Sequence, residues 1–120
     1  MGKEAVNRWG RISISDEVIA TVAGVAATEC YGIVGMASRK LKDGIAELLR
    51  RENLSRGVEV NVEGDEVGVS LYIIVGYGTR ISEVAKNVTE QVKYSVESMT
   101  GLRVSRVNIL VQGVKVGNER

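Results

Sequence analysis

The residues that most enzymes use for proton transfer and metal binding are scarce in this sequence. It has no His and one cysteine, Cys30, among 120 residues. His is the commonest general base and metal ligand. A single cysteine can form neither an intramolecular disulfide nor a zinc site with several thiolates. The sequence therefore predicts a protein without enzymatic activity, bound metal or cofactor, in a compartment that keeps thiols reduced.

Two features suggest contact with phosphate or RNA. Gly32 and Gly35 frame a four-residue glycine pattern like the loop that clamps RNA backbone in KH domains. The segment 38–57 has six basic residues, among them Arg39, Lys40 and Lys42, but also three acids. The residues inside the glycine pattern are aliphatic, and no aromatic residue interleaves with the basic ones to stack bases. We therefore expect weak anion contact and no nucleic-acid partner, with a KH-like RNA-binding module as the alternative.

Hydrophobic periodicity predicts the elements that position these residues. Ser15 is a suitable N-cap for a first helix, and Gly101 is suited to end a second helix in the left-handed conformation. Strands are indicated where apolar and polar residues alternate. The predicted strands are 10–14, 58–62, 67–75 and 107–111, with a register shift near 105–106, and the predicted helices are 16–29 and 81–100.

The order strand, helix, strand, strand, helix, strand predicts an α+β two-layer sandwich. We expect an antiparallel-rich four-stranded sheet with the helices on one face and an extra short helix in the segment 30–57, near 41–51. The turn Gly64-Asp65 predicts a hairpin in which Val62 lies opposite Val67. Residues 10–116 are predicted to form a single domain between a flexible N-terminus, 1–9, and a frayed tail, 117–120.

One side of the predicted sheet carries apolar residues that no helix covers. The longer aliphatic row of strand 67–75 is expected to face the helices, so Tyr72 and Ile74 face the other side. Leu110 faces the same side from the last strand. Contiguous exposed apolar groups are typical of an interface. We therefore predict self-association through Tyr72, Ile74 and Leu110; the alternative is that the segment 30–57 folds over them.

The N-terminus has no apolar core typical of a signal peptide. The longest apolar stretch, 18–27, is about half the roughly twenty residues that a membrane-spanning helix needs. We therefore expect a cytoplasmic protein that reaches the membrane only through a partner.

Eight short motifs share the order and spacing of a known protein family. They are GRISI at 10–14, VIATVA at 18–23, YGIVGM at 31–36, DGI at 43–45, GVEV at 57–60, YIIVGYG at 72–78, MTGL at 99–102 and VNI at 107–109. Together they resemble the alkaline-shock-protein family of Gram-positive envelope stress response proteins, in particular its short YloU-like branch. The resemblance covers roughly residues 10–116. Ser70 departs from the family, since many members have an acid in that strand.

The resemblance implies a cytoplasmic, non-enzymatic scaffold that takes part in protein–protein interactions. Family members self-associate as homo-oligomers, and the founding members lie near the membrane by binding a membrane-anchored partner. Branch members are often encoded beside a fatty-acid-kinase-type gene, which implies a lipid-metabolism partner. A regulatory subunit of a lipid-metabolism enzyme is therefore a further alternative. The family provides no catalytic or cofactor residue to place on this chain.

Overall fold

The computed structural model describes residues 2–7, 10–38, 48–49 and 51–116. Two helices pack on one face of a four-stranded sheet, and a separate two-stranded sheet precedes them. This confirms the predicted α+β class. The elements are β1 Gly2–Asn7, β2 Gly10–Ser15, α1 Asp16–Thr28, β3 Ile33–Met36, a 3-10 helix Arg51–Gly57, β4 Val58–Glu63, β5 Glu66–Gly76, α2 Ile81–Thr100 and β6 Arg103–Lys115.

The central strand of the main sheet is β5. Along one edge it pairs with β6 in parallel over its whole length. Along the other edge it pairs antiparallel with β4 in its first half and with β3 in its second half. Parallel neighbours need a crossover connection, and α2 provides it by returning across the sheet.

The hairpin of β4 and β5 has the predicted register. Val62 lies opposite Val67, Val60 opposite Val69, and Glu63 opposite Glu66. Gly64 begins the turn with φ +62°, a value that glycine adopts without strain. The predicted shift in the last strand is also confirmed, because the pairing of β5 with β6 skips one residue between Val104 and Arg106.

The first strand exists as predicted, but its expected place in the main sheet is wrong. β2 pairs antiparallel with β1 in the separate two-stranded sheet, and β3 is the fourth strand of the main sheet. The physical reason is that both edges of β5 are already occupied, one by β6 and the other by β4 and β3. Residues 2–7, which the sequence predicts to be flexible, form β1.

The two helices bury different kinds of side chain. In α2 the buried row is Val84, Val88, Val92 and Val96, which recur at helical spacing. In α1 the buried residues are mostly small, and this allows close approach. A Cβ on Gly24 would lie 3.3 Å from the Cβ of Leu54 in the 3-10 helix.

Hydrogen bonds at one end of each helix confirm the caps predicted from the sequence. Ser15 caps α1, because its Oγ accepts from the Val18 amide at 3.3 Å. Gly101 ends α2 with φ +76°, and its amide donates to the Glu97 carbonyl at 2.9 Å. The predicted helix near 41–51 and the predicted frayed tail at 117–120 lie almost wholly outside the described residues; only 48, 49 and 51 belong to them.

Candidate protein-interaction surfaces

The face of the main sheet opposite the helices, here called the open face, has a polar half. The half nearest the β4–β5 turn holds a depression of about 390 Å³. Asn108 in this half donates from its side-chain amide to Ser70 Oγ at 3.2 Å. The residues lining the depression are mostly charged or hydrogen-bonding: Glu59, Val60, Asn61, Glu63, Glu66, Gly68, Ser70, Ser105, Arg106 and Asn108.

The predicted interface residues lie together on the other half of the open face. Tyr72 and Leu110 are partners across β5 and β6. Leu110 is 37% exposed, whereas the Tyr72 ring is half-buried and its hydroxyl donates to Glu59 Oε1 at 3.2 Å.

Ile74 is not available for contact, which corrects the expectation of an exposed side chain. It faces the open side as predicted but is only 8% exposed. Its partner in β3 is Gly35, where a Cβ would lie 2.7 Å from Leu48 Cδ1. The Leu48 side chain therefore occupies the space beside Gly35. Leu48 belongs to the segment 30–57, which the alternative interpretation of the sequence expected to fold over this face.

The four-residue glycine pattern does not form an exposed loop, which corrects that expectation. Gly32 lies in a turn with φ +91°, but Gly35 is buried inside β3. A clamp on phosphate needs backbone that an anion can approach. Of the basic residues predicted to assist, Arg39, Lys40 and Lys42 lie outside the described residues.

The Cys30 thiol is in a poor environment for a nucleophile. Burial raises its pKa above the ordinary value, and the neighbouring Glu29 carboxylate adds to the rise. The thiol donates a hydrogen bond to the Ala26 carbonyl, with 3.5 Å between Sγ and O. Reactive cysteines require the opposite shift, because the thiolate is the reacting form.

The sequence did not predict a third surface, which lies at the end of the sheet where β5 and β6 finish. Hydrogen bonds join three chain segments there. The Gly76 amide donates to the Gly32 carbonyl at 3.0 Å, and the Tyr77 amide donates to the Lys115 carbonyl at 2.9 Å. Thr79 Oγ1 donates to the Gly76 carbonyl at 2.7 Å and fixes the turn that leads into α2.

Large apolar and aromatic side chains are exposed at this end. Tyr31 is 84% exposed and Tyr77 is 75% exposed, although tyrosine rings usually bury much of their area. The segments that carry these side chains also contain exposed charged residues, namely the cations Arg80 and Lys115 and the acids Glu29 and Glu83. We call the exposed apolar and aromatic side chains of these segments the tyrosine end; they are Tyr31, Tyr77, Ile81, Val114 and Val116.

The sequence contained only part of the signal for the tyrosine end. Each of the two tyrosines lies next to a glycine in a turn, where a large ring has little structure to pack against. The segments that carry them lie far apart in the chain and are joined by the hydrogen bond between Gly76 and Gly32. Tyrosine is enriched at protein interfaces. This surface is suited to a protein partner.

Comparison with known proteins assigns the chain to a family. Residues 4–116 match the alkaline shock protein 23 family, which is described as having a cell envelope-related function. The chain belongs to this family. The uncharacterized protein YloU of Bacillus subtilis (strain 168) is 58% identical over 119 residues, which are 98% of this chain and 99% of YloU. Both findings confirm the resemblance seen in the sequence.

A more distant relative carries a name that refers to the stress response. The stress response regulator gls24 homolog of Streptococcus pyogenes serotype M3 (strain ATCC BAA-595 / MGAS315) is 29% identical over 109 residues, which are 88% of this chain and 59% of the relative. Among solved structures, MamM-CTD aligns with 12% identity and a TM-score of 0.49, covering 87% of this chain and 100% of that chain. That likeness is too weak to inform either fold or function.

Two further features of the described residues concern membrane spanning and metal binding. None of the helices there is both long and apolar enough to cross a membrane. In the same part of the chain, no group of three His, Cys, Asp or Glu side chains lies close enough together to hold a metal ion.

Proposed function

We propose that this chain is a non-enzymatic interaction protein of the envelope stress response. It self-associates and binds a membrane-associated or lipid-metabolism protein. Membership of an envelope-related family supports the cellular setting. The observation that carries the binding role is the high exposure of Tyr31 and Tyr77 at the tyrosine end, on segments joined by the hydrogen bond between Gly76 and Gly32.

Covering the tyrosine end would stabilise a complex. Removing apolar area from water contributes about 25 cal/mol per Å². Aromatic side chains near the centre of an interface often carry much of the binding energy. A regulatory subunit of a lipid-metabolism enzyme is one form of the same proposal, in which the enzyme is the protein bound at this end.

The test compares two tyrosine variants in matched experiments. Tyr31→Ser combined with Tyr77→Ser removes both rings from the tyrosine end. Tyr94→Ser removes a ring that is 68% exposed in the middle of α2, and it is the matched control. Proteins crosslinked to the wild type in native cells are identified and purified, and their dissociation constants are measured with each variant.

We expect the double variant to raise the dissociation constant of a true partner by at least about tenfold, which corresponds to about 1.4 kcal/mol. Tyr94→Ser should leave it unchanged. The proposal fails if no purified membrane-associated or lipid-metabolism protein binds the wild type. If the double variant binds the partner as tightly as the wild type does, the tyrosine end is not the binding surface.

A further inference from the structure

The two edges of the main sheet differ in how well they are protected. A free strand edge offers unpaired backbone N–H and C=O groups to another strand, unless it is short, charged, bulged or covered. On one edge, β4 has six residues and carries the exposed acids Glu59 and Glu63. Beside it, β3 has four residues, and the Leu49 amide covers it by donating to the Met36 carbonyl at 2.8 Å.

The opposite edge lacks these protections along its centre. β6 has 13 residues, and among the described strands it pairs with β5 alone. Its cations lie near the ends, at Arg103, Arg106 and Lys115. The two register shifts in its pairing with β5 lie near the same ends, before Arg106 and after Val111. The segment 107–111 between them is regular, extended and uncharged.

The side chains of this segment restrict what can pair with it. Val107, Ile109 and Val111 lie on the helix side and are only partly buried against the core. Asn108 and Leu110 lie on the open face, beside Ser70 and Tyr72 of β5. A strand added here gains most if it is uncharged and apolar on the helix side, because it then covers the partly exposed row.

Among the described strands of the main sheet, β6 itself best meets these requirements. Both edges of β5 are occupied, β4 carries two acids, and β3 is short and covered. A two-fold axis through Ile109 would place Val107 opposite Val111 and Asn108 opposite Leu110. Such pairing uses the same surface on both copies, as a symmetric dimer requires.

We propose that two copies of this chain associate by antiparallel pairing of their β6 edges, centred on Ile109, to form one continuous sheet. This inference rests on the self-association in the proposed function and assigns it to a surface other than the open face. It leaves the tyrosine end of each copy free for the other partner.

Charge reversal at the two-fold axis tests the pairing. Ile109→Lys and Ile109→Glu each place like charges opposite each other, which opposes pairing. We expect each variant alone to raise the dimer dissociation constant, measured by sedimentation equilibrium, at least about tenfold. An equimolar mixture should recover association as a heterodimer. Val60→Lys is the matched control on the opposite edge, since Val60 is also a partly buried helix-side residue, and it should associate like the wild type.

Amide hydrogen exchange of the wild type decides the question even if the Ile109 variants fail to fold. Backbone pairing should slow exchange within 107–111 at high protein concentration relative to low concentration, whereas stacking of open faces would leave those amides unchanged. Association with no slowing in 107–111, or with undiminished strength in both Ile109 variants, overturns the edge pairing and leaves the proposed function intact.

Two other outcomes would lead to different conclusions about self-association. A wild type that is monomeric at all concentrations refutes both the edge pairing and the proposed self-association. Loss of the dimer in Ala5→Pro, where β1 pairs with β2, but not in the Ile109 variants would assign association to exchange of the N-terminal hairpin and overturn the proposal.

Discussion

Alternate residues of β5 form two faces that are covered in different ways. On the helix side, Val67, Val69, Leu71, Ile73 and Val75 are all buried, because α1 and α2 cover the whole row. On the open face, burial changes along the strand: Ser70 and Tyr72 are half-buried, whereas Ile74 is nearly as buried as the core. Alternation thus decides which way a side chain points, and the cover above it decides its exposure.

The largest loss of stability is expected from a charge buried between the helices and the sheet. Val88→Asp would bury an unpaired carboxylate between α2 and the sheet and should destabilise the fold by more than about 4 kcal/mol. Thermal unfolding followed by circular dichroism measures this. Asn87→Asp introduces the same charge at an exposed position of the same helix and should change stability little. Equal melting of the two variants would contradict the assigned helix-side core.

An intermediate loss of stability is expected on the open face, where Ile74 is buried and Leu110 is partly exposed. Ile74→Ala should cost about 2 to 4 kcal/mol, because it leaves a cavity beside Gly35 and Leu48. Leu110→Ala should cost less than about 1 kcal/mol, since that side chain is partly in water. Urea denaturation gives both values. If the two substitutions had the same cost, the segment around Leu48 would not be the cover of Ile74.

The smallest effect is expected at the border between the polar and apolar halves of the open face. Tyr72→Phe keeps the ring and removes the hydroxyl that donates to Glu59. A hydrogen bond in an exposed position contributes little beyond what water replaces, so we expect a loss of about 0.5 kcal/mol. Urea denaturation near neutral pH measures it, and Glu59→Gln serves as the reciprocal variant. A loss as large as that of Ile74→Ala would show that the hydroxyl holds the two halves of the face together.

Several local features could be predicted from the sequence alone. The α2 helix begins and ends where the periodicity of its valines and Gly101 indicated. Ser15 caps α1, and the hairpin around Gly64 has the expected register. Each of these depends on residues close together in the chain, where side-chain period, capping bonds and turn geometry are decided by near neighbours. The family was also recognisable, because its motifs kept their order along the chain.

Tertiary structure decided which segments meet. The strand at Gly10–Ser15 was recognisable, but its exclusion from the main sheet depends on β6 pairing directly with β5. Gly35 is buried because β3 pairs with β5 and Leu48 packs beside it. The tyrosine end joins three distant segments through backbone hydrogen bonds. Local pattern is silent on such contacts, because backbone donors and acceptors are the same at every residue and their partners are chosen by the whole fold.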